Sequence, residues 1–208
     1  MPTWAVSRRG LFVTFEGGEG AGKSTAIAGA AEALRDEGRQ VIVTREPGAG
    51  EFGAAVRKLL LDAGDVPPVS ELFLFLADRA NHCQRIVAPA LERGELVLCD
   101  RYADSTLVYQ GLVRGLDEPF VRQANAIATG GLVPDRTLLL DIPPEIGLSR
   151  LAEMNRLDRE PAEFHRRVRD GFLRLARAEP GRWRILDATQ DSQVVLACAL
   201  AEIRPLLD

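Results

Sequence analysis

Lysine is scarce in this sequence. The chain has only Lys23 and Lys58, and apart from two histidines every other basic residue is an arginine. The formal net charge of −4 gives no reason to expect a nucleic-acid-binding groove or a polybasic membrane-binding patch. An anionic ligand must therefore be held by a few local cations, and most of these are expected to be arginines.

Cysteine is scarce as well. The three cysteines, Cys83, Cys99 and Cys198, are odd in number and widely spaced, which argues against a disulfide framework and against a zinc-binding pattern. We expect all three to be ordinary packing residues in a protein of the reducing cytosol.

Long apolar runs are missing too. Runs such as Leu72–Ala77 are far shorter than the ~20 residues of a membrane-spanning helix. Near the N-terminus, the short apolar stretch Trp4–Val6 is followed after one residue by Arg8 and Arg9, so it is too short and too soon charged for a signal peptide. We therefore expect no membrane association and a cytoplasmic location.

The order of predicted elements indicates the fold class. No repeat, low-complexity segment or linker divides the chain, so one domain over residues 1–208 is expected. Short apolar runs alternate with helical patterns, which predicts an α/β fold: a three-layer, doubly wound parallel sheet that binds ligands beyond the carboxyl ends of its strands. The predicted strands are 11–15, 41–44, 95–99, 136–141 and 184–186, and the predicted helices are 23–37, 51–62, 70–93, 104–113, 118–129, 144–153, 163–177 and 192–206.

The strongest local motif follows the first predicted strand. Gly17–Ser24 reads G-G-E-G-A-G-K-S, which fits the phosphate-binding loop pattern G-x-x-x-x-G-K-S. The glycines let successive backbone N–H groups turn toward an anion, and the following helix adds the positive end of its dipole. Lys23 is expected to reach the β- and γ-phosphates of ATP, and Ser24 to ligate Mg²⁺. The predicted ATP-binding residues of this segment are Gly17, Gly18, Glu19, Gly20, Ala21, Gly22, Lys23, Ser24 and Thr25.

This loop alone does not distinguish a kinase from a GTPase or an ATP-driven switch, although the absence of an N-K-x-D motif weakens the GTPase interpretation. A kinase needs a second anion site at the strand ends. Arg45 follows the second predicted strand in T-R-E-P-G, and Asp100 and Arg101 follow the third. A carboxylate such as Asp100 can hold Mg²⁺ through water, and Arg101 can offer a planar, bidentate fork to a phosphate.

Several motifs occur in the order found in thymidylate kinases: the phosphate loop, R-E-P-G, F-L-A-D-R at Phe75–Arg79, D-R-Y-A-D-S-T at Asp100–Thr106, and a late arginine-rich segment. The chain resembles that family over about residues 10–190. The resemblance implies a P-loop fold of the nucleoside monophosphate kinase type, with a short helical lid at about 150–160.

The same resemblance implies a reaction. It is the ATP-dependent phosphorylation of dTMP to dTDP, which supplies dTTP for DNA synthesis, carried out by a homodimer with Mg²⁺. A kinase for another nucleoside monophosphate or for a deoxynucleoside stays open as an alternative. From a different class, an ATP-dependent switch protein also stays open.

The resemblance places dTMP against the second group of motifs. Phe75 is expected to stack on the thymine ring, and Arg79, one helical turn later, to donate to thymine O4. Arg45 and Arg101 are expected on the 5′-phosphate, and Tyr109 beside the deoxyribose. The implied dTMP-binding residues are Arg45, Phe75, Arg79, Arg101, Ser105, Thr106, Tyr109 and Gln110.

Some family members carry an arginine inside the phosphate loop, where this chain has Glu19-Gly20-Ala21. The cation needed at the transferred phosphoryl group is therefore expected from the lid, at Arg156 or Arg159. Arg150 resembles the residue that stacks on adenine. Glu46 resembles an acidic residue near the metal and sugar, although a turn-capping role is left open. The implied catalytic residues are Lys23, Glu46, Arg101, Arg156 and Arg159, with Ser24 and Asp100 as the metal ligands.

One turn departs from the family pattern. The usual second glycine after R-E-P-G is displaced by one position, so that the chain reads Gly48-Ala49-Gly50. If that position requires a positive φ, Ala49 would be strained there. Pro47 fixes a rigid turn, and the sequence leaves open whether its peptide bond is cis.

Overall fold

The computed structural model describes residues 10–62, 64 and 66–207, so the N-terminal residues 4–9 considered above lie outside it. Five parallel strands form one sheet in the order β2-β3-β1-β4-β5. Since no parallel pair can be joined by a tight hairpin, each connection crosses over the sheet through a helix. The strands are β1 Phe12–Glu16, β2 Val41–Arg45, β3 Leu96–Asp100, β4 Arg136–Asp141 and β5 Trp183–Asp187.

Helices connect these strands. Two of them continue into π-helical turns at Cys83–Val87 and Leu107–Val113, and a 3₁₀ turn at Arg204–Leu206 ends the last one. The α-helices are α1 Lys23–Asp36, α2 Gly50–Leu61, α3 Pro68–His82, α4 Ala88–Glu92, α5 Ala103–Thr106, α6 Glu118–Thr129, α7 Pro144–Ser149, α8 Ala162–Ala178 and α9 Ser192–Ile203.

Both faces of the sheet are covered. On one face, α1 and α9 pack with inward side chains of β1 and β4 such as Phe15 and Leu138. On the other face, α3, α6, α8 and the second π-helical turn pack around Phe172, Leu139 and Trp183. The three inner strands are almost wholly buried, as a parallel sheet with two helical layers requires. The predicted fold class, a three-layer doubly wound α/β sheet, is confirmed.

The predicted helical lid is wrong in its secondary structure. The helix predicted over 144–153 ends at Ser149, and residues 150–161 consist of turns and irregular backbone. Asn155 Oδ1 accepts hydrogen bonds from the backbone N–H groups of Leu157 and Asp158, and Asp158 Oδ2 accepts from that of Asn155. Such local side-chain bonds satisfy the backbone in place of helical bonds.

The backbone resolves two expectations about the turn that follows β2. Ala49 has φ −79°, while the positive φ angles fall on Gly48 and Gly50, so no strain arises at the displaced glycine. The Glu46–Pro47 peptide bond is cis.

All three cysteines are free, and Cys83 and Cys99 are buried, but Cys198 is exposed, so the packing role predicted for it is wrong. Among the described residues, no helix is both long and apolar enough to cross a bilayer.

Candidate active site

A cavity of about 700 Å³ lies at the carboxyl edge of the sheet. Phe15 and Arg45 are both register partners of Asp100, so the loops that follow β1, β2 and β3 begin side by side. The fold therefore brings the phosphate loop and the predicted acceptor site to one opening. The predicted residues that line the cavity are Glu19, Gly20, Ala21, Gly22, Lys23, Ser24, Thr25, Arg45, Glu46, Phe75, Arg79, Asp100, Arg101, Ser105, Thr106, Tyr109, Gln110 and Arg150.

The phosphate loop is closed by its own lysine. Lys23 Nζ, which is buried, donates to the carbonyl oxygens of Gly17 at 3.2 Å and of Gly18 at 2.9 Å. Gly20 has a positive φ, and a Cβ added there would lie 1.8 Å from the carbonyl oxygen of Gly147. Only glycine fits this close approach of two backbones. The loop is thus preformed at the start of α1, and its remaining N–H groups are available to phosphate oxygens.

Ser24 and Asp100 are brought together as predicted. The Ser24 hydroxyl donates to Asp100 Oδ2 at 3.0 Å, at the cavity wall. Within the described residues there is no group of three or more His, Cys, Asp or Glu side chains that could hold a metal by themselves. A hydroxyl and a carboxylate beside a phosphate loop fit Mg²⁺, because this ion prefers oxygen ligands and keeps several waters and substrate phosphates in its shell.

Glu19 and Arg101 join the two halves of the cavity. Arg101 Nη2 donates to Glu19 Oε1 at 2.7 Å, and the same oxygen accepts from the Tyr109 hydroxyl at 2.9 Å. Burial by itself would raise the pKa of Glu19, but Arg101 and Lys23 outweigh it and lower that pKa to about 2. Glu19 is therefore ionised at neutral pH. The Arg101 guanidinium also lies 5.3 Å from the centre of the Tyr109 ring.

Arg101 has an unusual backbone conformation. It is the one non-glycine residue with positive φ, 66°, in the part of the chain that the structure describes. Its N–H donates to Phe15 O, and Glu16 accepts from Tyr102 N–H at 2.9 Å and from the Ser105 hydroxyl at 2.6 Å. These bonds fix the turn that aims Arg101 into the cavity.

Glu16 itself is fully buried at the end of β1. Its pKa is raised to about 7, chiefly by burial and then by the nearby Asp104, while Arg101 and the hydrogen bonds from Ser105 and Tyr102 act in the opposite direction. The carboxyl group that anchors the Arg101 turn therefore changes its charge near neutral pH.

Arg79 lines the cavity but is 1% exposed. Its Nε donates to Glu46 at 2.8 Å, Nη1 donates to Thr106 Oγ1 at 2.9 Å and to Asn125 Oδ1 at 2.7 Å, and Nη2 donates to Tyr102 O at 3.0 Å. The guanidinium is thus rigidly held by four different residues. The contact between Arg79 and thymine O4 stays a prediction.

Glu46 is placed differently from what its motif suggested. It lines the cavity, but its carboxylate is turned to Arg79 and to His82 Nδ1, at 2.8 Å, rather than to Ser24 and Asp100. His82 Nε2 lies 2.7 Å from Thr44 Oγ1. Burial would raise the pKa of Glu46, but Arg79 and His82 together lower it. Both carboxylate oxygens take side-chain donors, so the turn-capping alternative is not seen either.

The two lid arginines differ. Arg156 does not line the cavity, because its guanidinium is bonded to the Glu71 carboxylate and to Leu60 O. This corrects the expectation that Arg156 faces the transferred phosphoryl group. Arg159 also lies outside the cavity wall, but it is exposed and forms no ion pair or hydrogen bond with the described residues. Arg150, at the end of α7, lines the cavity and donates to Ala188 O at 3.1 Å.

Sequence reasoning missed several residues at this site. Arg57 of α2 lines the cavity beside Arg45, and its pKa is lowered by burial and by that second cation. Its only sequence signal was a position next to the buried stripe of Val56 and Leu60. Glu71, His82 and Asn125 hold cavity residues from behind and belong to no recognised motif. The cavity-lining residues that sequence reasoning missed also include Leu151, Asn155, Leu157, Ala188, Gln190, Asp191, Ser192 and Val195.

Comparison with known proteins agrees with this geometry. The family model described as thymidylate kinase matches residues 15–197. The chain belongs to the thymidylate kinase family. A thymidylate kinase of Deinococcus radiodurans is 52% identical over 186 residues, which cover 88% of this chain and 90% of that protein. A thymidylate kinase of Desulfovibrio desulfuricans is 51% identical over 204 residues, covering 92% and 94%.

A solved structure supports the same family. The crystal structure of thymidylate kinase from Ehrlichia chaffeensis matches with a TM-score of 0.79 and 32% identity, covering 94% of this chain and 98% of that chain. The family membership inferred from five short motifs is therefore confirmed over nearly the whole chain.

Proposed function

We propose that this protein transfers the γ-phosphoryl group of ATP to dTMP, which yields ADP and dTDP. The observation that carries the proposal is the single cavity in which the phosphate loop and Arg101 face each other, linked by the Glu19–Arg101 ion pair. A GTPase or a switch protein needs only the first of these two anion sites. A phosphotransferase needs both, within reach of one travelling group.

The donor side of the reaction rests on the phosphate loop. Its backbone N–H groups and Lys23 bind the β- and γ-phosphates, and Arg150 together with the start of α9 lies where the adenine would be held. Ser24 and Asp100 would hold Mg²⁺. Held there together with ATP, Mg²⁺ would supply positive charge that offsets the charge of the phosphates.

The acceptor side rests on arginines and one aromatic ring. Arg45, Arg57 and Arg101 line the part of the cavity where the 5′-phosphate of dTMP would lie, and Phe75 offers a half-buried ring to the base. The acceptor phosphate is already anionic at neutral pH, so the protein need supply no general base. Its task is to align the acceptor and to stabilise charge at the transferred group.

An arginine of the lid would supply further positive charge at the transferred phosphoryl group. Arg159 is the lid arginine without an internal partner among the described residues, whereas Arg156 is engaged by Glu71. We assign Arg159 to the transferred phosphoryl group in the closed state. Closure would also exclude water, which otherwise competes with dTMP for ATP.

Three properties of the whole protein belong to the same proposal. A homodimer is supported by an exposed apolar surface on the adjoining helices α2, α3 and α6. A cytoplasmic location is supported by the free cysteines. One domain over 1–208 with a lid at 150–160 is supported by the continuous sheet and its two helical layers. The exposed apolar side chains of the surface are Phe52, Leu59, Val69, Phe73, Phe120 and Ile127.

An acceptor panel tests the proposed reaction. ADP release is measured with ATP and Mg²⁺ in the presence of dTMP, dCMP, AMP, thymidine or no acceptor. We expect fast turnover with dTMP and little with the others. Preference for another acceptor would assign a different kinase, and equal ATP hydrolysis without any acceptor would indicate a switch protein.

A further inference from the structure

Glu71 is a fully buried carboxylate in the first turn of α3, and no motif drew attention to it. Gln110 Nε2 donates to its Oε1 at 2.8 Å, and the lid residue Arg156 binds its Oε2. Arg114 Nε lies 3.6 Å from Oε1. Two guanidinium groups thus lie beside this one buried carboxylate, the kind of pairing that a buried carboxylate requires.

The charge of Glu71 determines how Gln110 is oriented. An ionised carboxylate accepts hydrogen bonds and donates none, so Gln110 must turn its NH₂ group toward Glu71. The amide oxygen, Oε1, then points the other way. No residue in the described part of the chain donates to this oxygen, and Gln110 lines the cavity together with Phe75 and Thr106. Gln110 therefore offers a hydrogen-bond acceptor at the cavity wall, because its bond to Glu71 fixes which end of the amide faces away from that carboxylate.

We infer that Glu71 is a positioning residue for base specificity, because it holds Gln110 Oε1 as an acceptor for the N3–H group of the pyrimidine. The inference rests on the proposed function. Thymine has a hydrogen on N3 and can donate to Oε1, whereas N3 of cytosine carries a lone pair and would face a second acceptor. A site built to hydrogen-bond one partner rejects an analogue that leaves its buried group unpaired. Uracil shares the N3–H group, so this device does not separate dTMP from dUMP.

Binding of dTMP and dCMP, measured by calorimetry, tests the inference in wild type and four variants: Glu71→Gln, Gln110→Leu, the double variant, and Arg156→Gln. A glutamine at 71 can donate as well as accept, so Gln110 is free to adopt either orientation. We expect Glu71→Gln to reduce the ratio of the dCMP and dTMP dissociation constants by about tenfold or more. Arg156→Gln replaces the guanidinium partner of Oε2 with an amide, leaves Arg114 and Gln110 beside Oε1, and should leave the ratio within about twofold.

The double variant distinguishes this role from a general effect on folding. If Glu71 acts through Gln110, Glu71→Gln changes the ratio no further when Gln110 is already leucine. An unchanged ratio in folded Glu71→Gln, or an equal fall on both backgrounds, would overturn the inference. Failure of the proposed function would look different, since wild-type protein would then not turn over dTMP at all.

A measurement on the wild-type protein does not depend on the variants folding. The Gln110 side-chain NH₂ signal, assigned in nuclear magnetic resonance spectra by its loss in Gln110→Leu, should stay hydrogen-bonded and slow to exchange with and without dTMP. If dTMP binding moved the hydrogen bond of this NH₂ group from Glu71 to the nucleotide, the inferred orientation would be contradicted.

Discussion

Arg101 Nη2 donates to Glu19 Oε1 at 2.7 Å, so the residue that follows β3 is bonded to the tip of the phosphate loop. The same guanidinium reaches Ser105 through Nη1 at 3.3 Å. A planar, forked cation can keep these two contacts and still present several N–H groups to a phosphate, whereas an ammonium group has only three N–H groups, all on one atom. The position of Arg101 between donor and acceptor sites thus depends on its shape as well as its charge.

Replacing Arg101 with lysine tests this dependence on shape. Arg101→Lys keeps the charge but loses the fork, so we expect kcat/KM for dTMP to fall by about 10²-fold with little change in the KM for ATP. Steady-state kinetics with each substrate varied in turn provide the measurement. The matched control is Arg174→Lys, since Arg174 pairs with Glu118 on an exposed surface and its change should be silent. Equal activity of the two variants would show that charge alone suffices at position 101.

Arg159 provides a second prediction. Arg159→Ala removes the proposed lid cation, so kcat should drop by about 10²-fold while the dissociation constants of ATP and dTMP change little. Arg177, exposed on α8 and outside the lid, provides the control substitution to alanine. A loss confined to substrate affinity, with kcat unchanged, would place the transition-state cation elsewhere.

The free energy of unfolding should depend on pH through Glu16. Its pKa is raised from 4.5 to about 7 in the folded protein, so between these pH values the folded state binds more protons than the unfolded state. The free energy of unfolding therefore decreases as pH rises through this window and changes no further from this group above it. The shift corresponds to a loss on the order of 3 kcal/mol.

The Glu16→Gln variant isolates that contribution. Glutamine stays neutral, so its unfolding free energy relative to wild type should increase between pH 5 and pH 8, whatever constant penalty the lost acceptor adds. Urea denaturation of both proteins at several pH values gives the comparison, and the other titrating groups cancel in the difference. Parallel pH profiles for the two proteins would mean that Glu16 titrates at an ordinary pKa.

The exposed apolar surface predicts an assembly. Phe73 of α3 is 55% exposed, and Val69 stands one turn before it on the same face. We expect wild-type protein to sediment as a dimer and Phe73→Asp to sediment largely as a monomer, because a buried charge at an interface is costly. Val194→Asp on α9, at 48% exposure and on the opposite layer, is the control. A wild-type monomer, or a dimer indifferent to Phe73→Asp, would contradict the proposed interface.

Local motifs made the loops predictable. The glycines of Gly17–Ser24 specify a backbone that can wrap around an anion. The order of strands and helices along the chain followed from the alternation of apolar runs and helical patterns. Arg45, Asp100 and Arg101 could be placed together because carboxyl ends of parallel strands share one edge. For these residues, the chemistry and the position are encoded within a few neighbours.

The layer behind the cavity could not be predicted in this way. Glu71 meets Gln110 and Arg156 across 39 and 85 residues of sequence, and Arg79 meets Asn125 across 46. Such pairs depend on how helices pack, which no short pattern specifies. The secondary structure of the lid was predicted wrongly for a different reason. A helix was expected there, but the side chains of Asn155 and Asp158 accept hydrogen bonds from the local backbone and stabilise turns instead.

The most direct test of the account follows the phosphorus atom itself. ATP labelled at the γ-phosphate is mixed with dTMP, Mg²⁺ and either wild-type protein, Lys23→Ala or Lys58→Ala, and labelled dTDP is separated from labelled phosphate. The two lysines of the chain offer a matched pair, since Lys23 closes the phosphate loop and Lys58 is exposed on α2. The account predicts labelled dTDP from wild type and Lys58→Ala, and almost none from Lys23→Ala. Label released only as inorganic phosphate, or dTDP formed equally by Lys23→Ala, would contradict it.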